Sequence, residues 1–349
     1  MRVGVLYHSV YEFENNHQLE KVDDYEMYET ASAVSKALSE KGYKSRLIRI
    51  STCEPSTLWE QLKNLKRRFD LIFHLAESDG EEVLVANQVA SYLKEIGLPF
   101  TGSEADALEL CMNKVAAKEL FLKNNIPTPK FQLFESLSQD IAQQLNPELR
   151  FPLIVKPVHE DGSYGIRADA VVKNPDELKS LVKKILAECK QPALVEEFID
   201  GKEINAAVIG SREKPEVLPL SEIVFDFPDD MPRILSFEAK WVEDSPQYKG
   251  TDGRCPAEVP KHIEKKIKSL AKKAFQLTGC SDYARVDFRV RGEEVYVLEV
   301  NPNPWIGPDN AGFIRSAQAA GYNYDEIINK ILEMSIERTE TSYDSRTNN

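Results

Sequence analysis

No stretch of this 349-residue chain approaches the ~18 consecutive apolar residues of a membrane-spanning helix. The opening "MRVGVLYHSVYEF" has too short an apolar run for a signal peptide and reads as a first strand. Positive charge is in deficit: 44 Lys and Arg against 57 Asp and Glu leave a net charge of -13. That balance argues against nucleic acid or an anionic membrane as the main partner. Cysteine is scarce. The five present (Cys53, Cys111, Cys189, Cys255 and Cys280) are dispersed, without CxxC or Cys/His ligand spacing. Such a set fits reduced thiols in the cytoplasm rather than a disulfide framework. No GxGxxG follows the first strand, so a dehydrogenase-like dinucleotide site is unsupported, and no internal repeat is visible.

The remaining composition is that of a globular protein, in a chain long enough for roughly two or three compact units. Over residues 1–104, strand and helix signals alternate: "RVGVLY", then "YEMYETASAVSKALSEKGY", "KSRLIRI", "STLWEQLKNLKRR", "FDLIFHLA", "VLVANQVASYLKEIG" and "PFTG". That order predicts an α/β, doubly wound parallel sheet. Residues 105–210 change character: helices, the Pro-rich link "IPTPKF", then strands and a helix of an α+β unit. A second α+β unit follows over 211–336, and the polar tail at 337–349 is expected to be disordered.

The segment "ARVDFRVRGEEVYVLEVNPNPW" (284–305) reads as a hairpin. Strict alternation puts Val286, Phe288, Val290, Tyr296, Leu298 and Val300 on an apolar face. The other face carries Arg285, Asp287, Arg289, Val295, Val297, Glu299 and Asn301. With Arg285 opposite Asn301, Asp287 falls opposite Glu299, and carboxylates directly across a ladder repel. Two readings answer this. Either the face is solvated and water screens the pair, or a divalent cation sits between them, since Mg²⁺ takes carboxylate and other oxygen ligands.

Other stretches carry weaker signals. In "KPVHEDGSYGI", Lys156 ends an apolar strand, and Gly162, Ser163 and Gly165 follow. Backbone N–H groups there could cradle phosphate, although a Gly-rich turn with a solvated lysine has the same pattern. In "LVEEFIDGKEIN", Glu196, Glu197 and Glu203 are either edge charges or part of a base- and ribose-binding hinge. Lys114 and Lys240, taken singly, are ordinary surface lysines.

In this order the blocks resemble the ATP-grasp superfamily, most closely the D-alanine–D-alanine ligase family. The matching stretches are "PFTGS", "CMNKVAAK", "IPTP", "PLIVKPVHEDGSYGI", "LVEEFIDGKE", "LPLSEI", "FEAKWVEDSPQY", "GCSDYARVDF" and "VYVLEVNPNP", spread from about residue 70 to 333. The resemblance implies an N-terminal α/β domain followed by two α+β subdomains of an ATP-grasp fold. It implies that Lys114 and Lys156 contact ATP phosphates under the loop of Gly162, Ser163 and Gly165. Glu196, with the backbone near Glu197 and Ile199, matches the adenine hinge, and Glu203 the ribose carboxylate. Lys240 matches the lysine that reaches the γ-phosphate, and Arg285 the oxyanion arginine. Asp287, Glu299 and Asn301 match the ligands of two Mg²⁺ ions, with Mn²⁺ as an alternative. The implied reaction joins a small carboxylate to an amine through an acyl phosphate. The 160s loop and the irregular 241–254 stretch are candidates for a lid that excludes water. Family members are often homodimers.

The amino-acid half departs from the family pattern. The N-terminal ammonium-binding motif is missing, and Asp24, Glu26 and Glu29 are either its substitutes or the polar side of a helix. His74 and Glu77 stand where the family has "HG…GE", as substrate contacts or structural groups. The family's "NTxPGMTxxSL" becomes "NPNPWIGPDNAGF", in which the acceptor-carboxylate pair falls on Asn310–Gly312, Asn303 is a candidate substrate contact, and Trp305 is either loop packing or part of a changed acceptor pocket. A divergent ligase is the first expectation. The standard D-alanine–D-alanine ligase and a non-catalytic ATP-binding protein are the alternatives.

Overall fold

The computed structural model describes residues 1–9, 22–51, 54–77, 85–136, 141–160, 162–228, 231–308 and 311–347. Three sheets organise the chain. The N-terminal one is parallel, in the order β2-β1-β3, from β1 (Arg2–His8), β2 (Lys44–Ile50) and β3 (Leu71–His74). Phe100 adds a parallel bridge to Ile72, where "PFTG" was expected to be a strand. Val3, Val5 and Phe73 point toward the helices Val22–Glu40 and Tyr324–Thr347. Leu6 and Ile72 point the opposite way, toward Leu58, Leu62, Val89 and Leu93. Both faces are therefore covered, as the near-continuous apolar strands require.

The central sheet is antiparallel in the order β4-β7-β5-β6, from β4 (Phe131–Phe134), β5 (Leu153–Pro157), β6 (Val171–Val172) and β7 (Ala193–Glu197). Its backing helix, Pro175–Glu188, starts at Asn174, whose side chain accepts from the amides of Asp176 and Glu177. Leu178, Val182 and Ile185 on that helix pack against Leu153, Val155 and Val195.

The third sheet runs β11-β10-β8-β12-β13 with β9 against β8. Its strands are β8 (Lys202–Gly210), β9 (Pro215–Val217), β10 (Ser221–Phe225), β11 (Thr251–Arg254), β12 (Asp282–Arg291) and β13 (Glu294–Pro302). The helix Lys261–Thr278 covers one face with Ile263, Ile267 and Phe275.

Three sequence expectations need correction. The boundary at 210 cuts off β8, which pairs with β12 along its length and belongs to the third sheet. The tail at 337–349 is not without structure, because the last helix continues to Thr347. Arg338 on that helix donates to Asp282, at 3.1 Å to Oδ1 and 3.0 Å to Oδ2, and to the carbonyls of Phe100 and Gly102. The third concerns the hairpin faces. The register shifts by one residue between Asp287 and Phe288, leaving Leu298 as a bulge. Beyond the bulge the alternation inverts, so Val295 and Val297 join the core while Tyr296 lies against Arg291. Among the described residues no helix is long and apolar enough to cross a membrane.

Candidate active site

Below the bulge the hairpin keeps the expected register: Arg285 opposite Asn301 and Asp287 opposite Glu299. On its other side β12 pairs with β8, placing Asp287 next to Asn205 and Arg289 next to Glu203. Asp287 is the centre of this row. Arg285 donates to it from Nε and Nη2, each at 2.8 Å, Asn205 Nδ2 at 2.7 Å and Asn301 Nδ2 at 2.8 Å. Glu299, about a third exposed, has Lys114 Nζ 4.0 Å from its Oε2. Burial pushes the Glu299 carboxyl up, but Lys114, Lys156, Arg285 and Lys240 together hold it below the usual range. Among the described residues no three His, Cys, Asp or Glu side chains gather as a metal cluster. The donor set is two carboxylates and an amide oxygen, hard oxygen chemistry that suits Mg²⁺ better than Zn²⁺.

The lysines converge from the central unit. Asn113 caps the helix Lys114–Lys123 by accepting from the Ala116 amide, which sets Lys114 at its first turn. Lys114 Nζ donates to the Glu160 carbonyl. One turn later, Lys118 is completely buried, a residue the sequence reading passed over. Its Nζ lies 2.7 Å from Glu196 Oε1 and donates to Thr128 Oγ1 at 2.8 Å. Lys156, from β5, holds the other oxygen of Glu196 at 2.8 Å. Burial depresses the Lys118 pKa to about 8 despite Glu196. For Lys156 burial acts in the same sense, but the carboxylates of Glu196 and Glu299 prevail and its pKa is raised. Glu196 is in turn held low by both lysines against its own burial. Glu197 differs: its carboxylate meets the part-exposed Arg291 at 3.1 Å. Ile199 is buried. Glu203, whose pKa burial raises, accepts from Arg289 Nη2 at 2.6 Å. Arg289 also donates to the Gly201 and Arg233 carbonyls, so its guanidinium is locked and Glu203 with it.

The glycine loop and the segment bearing Lys240 are tied together. Ser163, at φ +67°, donates from Oγ to the Leu235 carbonyl at 2.7 Å, and Trp241 Nε1 donates to the Gly162 carbonyl at 2.9 Å. Phe237 N donates to the Ile166 carbonyl at 2.8 Å, and Tyr164 meets Phe237 edge-on. Gly165 has φ +73°, and a Cβ there would press on Pro157. Ser236 caps the helix Phe237–Trp241 and so orients half-buried Lys240. Part of the stretch expected to be irregular is strand β11.

The end of the site beside the N-terminal unit is built differently. His74 is fully buried, its Nε2 3.1 Å from the Ala86 carbonyl, and burial pushes its pKa down to about 4. Its Nδ1 and Asn303 Nδ2 have no hydrogen-bond partner among the described residues. Both line a narrow crevice with Met27, Thr30, Glu77 and Trp305. Asn303 stands at φ +54°, and its Oδ1 accepts from the Ser103 amide at 2.8 Å, tying the hairpin to the N-terminal unit. Trp305 packs partly buried against the N-terminal core. Glu26 is half-buried and Glu29 exposed on the helix Val22–Glu40; the Asp24 side chain and all of Asn310 lie outside the described residues. Gly312 opens the helix Gly312–Ala319, which brings Arg315, also unanticipated, toward Arg285. Lys118 had a signal, since it lies four residues from Lys114 on one helix face. Arg315 had only its isolation within the otherwise uncharged "GFIRSAQAA".

Three sheets in this order, with lysines and carboxylates converging where they meet, define an ATP-grasp protein. Residues 120–333 match the family model described as D-ala D-ala ligase C-terminus. An uncharacterised protein, y4sG, of Sinorhizobium fredii is 34% identical over 78% of this chain and 77% of its own length. The D-alanine–D-alanine ligase of Carboxydothermus hydrogenoformans is 32% identical, covering 88% of this chain and 93% of that protein. In structure, the D-alanine–D-alanine ligase of Bacillus anthracis complexed with ATP aligns with a TM-score of 0.76 at 21% identity, covering 98% and 99% of the two chains. The chain belongs to the D-alanine–D-alanine ligase family.

Proposed function

We propose that this chain is an ATP- and Mg²⁺-dependent, ADP-forming carbon–nitrogen ligase that joins a small carboxylate to an amine. Family membership supports the class of reaction. The observation that carries the reading is the convergence of Arg285, Asp287 and Glu299 with Lys114 and Lys156 on one polar face.

The carboxylate substrate is a poor electrophile. Its oxygen attacks the γ-phosphorus of ATP, ADP leaves, and an acyl phosphate forms. The amine nitrogen then attacks the acyl carbon, phosphate leaves, and the nitrogen loses a proton as the amide forms. Lys114, Lys156 and Lys240 balance charge on the phosphoryl oxygens, where fixed cations in a desolvated site act most strongly. Glu203, immobilised by Arg289, accepts hydrogen bonds from the ribose, and Glu196 with the backbone at Glu197 and Ile199 holds adenine. Asp287, Glu299 and Asn301 hold Mg²⁺, two ions or Mn²⁺ in their place, which neutralises charge on the terminal phosphates when bound. Arg285 stabilises the oxyanion of the tetrahedral intermediate. The linked segments of Gly162 and Trp241 cover the acyl phosphate against water. The described cysteines are all unpaired as disulfides, which supports a reducing, cytoplasmic setting.

The relatives' names favour a second reading, the joining of two D-alanines. The altered 303–312 stretch weighs against it, because an acceptor carboxylate without its partner costs more than any apolar change in the pocket. ADP release with ATP, Mg²⁺ and a panel of D- and L-amino acids and dipeptides separates the readings. Turnover with D-alanine alone selects the second, and turnover with another pair the first. Silence throughout, with ATP still bound, overturns both in favour of a non-catalytic ATP-binding protein.

A further inference from the structure

Two buried polar atoms beside the N-terminal unit, His74 Nδ1 and Asn303 Nδ2, have no hydrogen bond among the described residues. Their neighbours fix the polarity of each. His74 is fully buried, and its Nε2 lies 3.1 Å from the Ala86 carbonyl. A carbonyl can only accept, so Nε2 carries the ring proton. Burial keeps the imidazole neutral, with its pKa down at about 4, which leaves Nδ1 as a bare acceptor. Asn303 Oδ1 accepts from the Ser103 amide at 2.8 Å, and this turns Nδ2 away from Ser103 as a donor. Both side chains line one crevice. Buried polar groups in native proteins are almost always paired, so an acceptor and a donor left open on one crevice call for an occupant.

That occupant must give a hydrogen to Nδ1 and accept one from Nδ2. A carboxylate cannot donate, an ammonium cannot accept, and a methyl group does neither. Among the described residues lining the crevice only Glu77 is charged, and its sign repels a second carboxylate. A hydroxyl and a carboxamide both satisfy the pair. Size separates them: with Met27, Leu75 and Trp305 on its walls, the crevice has free space for about one water-sized group. Its place in the fold says what bears that group. Tyr283, also on the wall, shares a face of β12 with Arg285 and Asp287, in two-residue steps of roughly 7 Å. The crevice therefore lies one step beyond Arg285 in the row that starts at the proposed metal position. The geometry points to this crevice as a side-chain subsite of the carboxylate substrate, selecting a short side chain that ends in a hydroxyl. The hydroxyl donates to His74 Nδ1 and accepts from Asn303 Nδ2. This assignment rests on the ligase reading above.

The test supplies D- and L-serine as the carboxylate substrate beside D- and L-2-aminobutyrate, which carry a methyl where serine has its hydroxyl. ADP release is followed with ATP, Mg²⁺ and the acceptor panel given above. For the productive hand, kcat/KM with serine should exceed that with 2-aminobutyrate by about a hundredfold, because the methyl leaves both buried groups unpaired. Asn303→Asp keeps an oxygen for the Ser103 amide but puts an acceptor where Nδ2 was, so the preference for serine should vanish with the KM for ATP unchanged. His74→Phe, which removes the other partner, should do the same. Equal use of serine and 2-aminobutyrate, or a preference that survives in Asn303→Asp, overturns the assignment in favour of a resident water and leaves the ligase reading standing. Calorimetry with a non-hydrolysable ATP analogue and Mg²⁺ decides the matter without turnover. Tighter binding of serine than of 2-aminobutyrate by wild type, lost in Asn303→Asp, supports the subsite, and equal binding or none overturns it. Absence of ADP release from every pair defeats the ligase reading separately.

Discussion

The proposed nucleotide end and the proposed amino-acid end of this cleft are built on opposite principles. At the nucleotide end most of the buried charges have an opposite charge within hydrogen-bonding reach, Lys118 and Lys156 on Glu196, Arg289 on Glu203 and Arg285 on Asp287, while Lys114 stands 4.0 Å from Glu299. At the proposed amino-acid end the buried polar groups His74 and Asn303 are uncharged, beside the carboxylate of Glu77. His74 is buried without charge, and Asn303 joins the hairpin to Ser103. The ligands proposed for the two ends account for the difference. A polyphosphate presents the same charge in every relative, so its cradle must be a fixed set of cations and carboxylates. A small substrate can be recognised by many polar arrangements, and its pocket is free to diverge while the scaffold is kept.

The largest effect separating the two ends is expected at Asp287. Asp287→Asn should lower ADP release by about a thousandfold, because it removes a carboxylate from the Mg²⁺ position and unpairs Arg285. A coupled assay at saturating ATP and Mg²⁺ measures it, and near-wild-type turnover would remove Asp287 from the metal site.

Next come two ion pairs, one fully buried at the proposed nucleotide site and one remote from it whose arginine is about a quarter exposed. Lys118→Met and Arg338→Ala should each cost about 3–5 kcal/mol of unfolding free energy, since each leaves a buried carboxylate with a lost partner. Only the first should weaken ATP binding, since Lys118 steadies Glu196 while Arg338 steadies Asp282 and the chain around Gly102. Urea denaturation combined with nucleotide titration reads both quantities, and equal loss of ATP affinity in the two variants would erase the distinction.

The contrast also has a pH signature. The His74 value falls from 6.5 to about 4 in the folded state because burial disfavours the imidazolium. Between those values the unfolded chain binds more protons, so stability rises with pH through that window and is flat above it. On acidification from pH 6.5 to 4 this group removes at most about 3 kcal/mol. The stability advantage of wild type over His74→Gln should therefore shrink across that range. A constant difference between the two proteins would mean that His74 is solvated or charged.

The two ends were also unequally legible in the sequence. Asp287 and Glu299 stood out because hydrophobic alternation gives no reason for opposed carboxylates, and the ladder does place them together. The apolar face of the same hairpin was misread above them. One bulged residue, Leu298, inverts the period, and nothing in "VYVLEV" announces it. Lys118 was within reach, one helical turn from Lys114. The Asp282–Arg338 pair was not, because its partners lie far apart in sequence and Arg338 falls in a polar tail that reads as disordered. Arg315 escaped for a related reason: one arginine in a short helix looks solvated until the opposite strand, at Gly253, is known.

The smallest predicted effect tests whether proximity to the nucleotide end is enough to matter. Glu196 and Glu197 are adjacent in β7, but strand geometry points their side chains to opposite faces. Glu196 goes inward to two lysines, while Glu197 meets Arg291, which is about two-fifths exposed and shared with Glu294. Exposed pairs of this kind contribute about 1 kcal/mol or less, and Arg291 retains Glu294 if Glu197 is neutralised. Glu197→Gln should thus leave ATP affinity within experimental error and change stability by no more than about 1 kcal/mol. Glu196→Gln, one residue away, removes the only carboxylate joining Lys118 to Lys156 among the described residues and should weaken both. If Glu197→Gln weakened ATP binding as much as its neighbour, the side chain and not the backbone at 197 would belong to the adenine hinge.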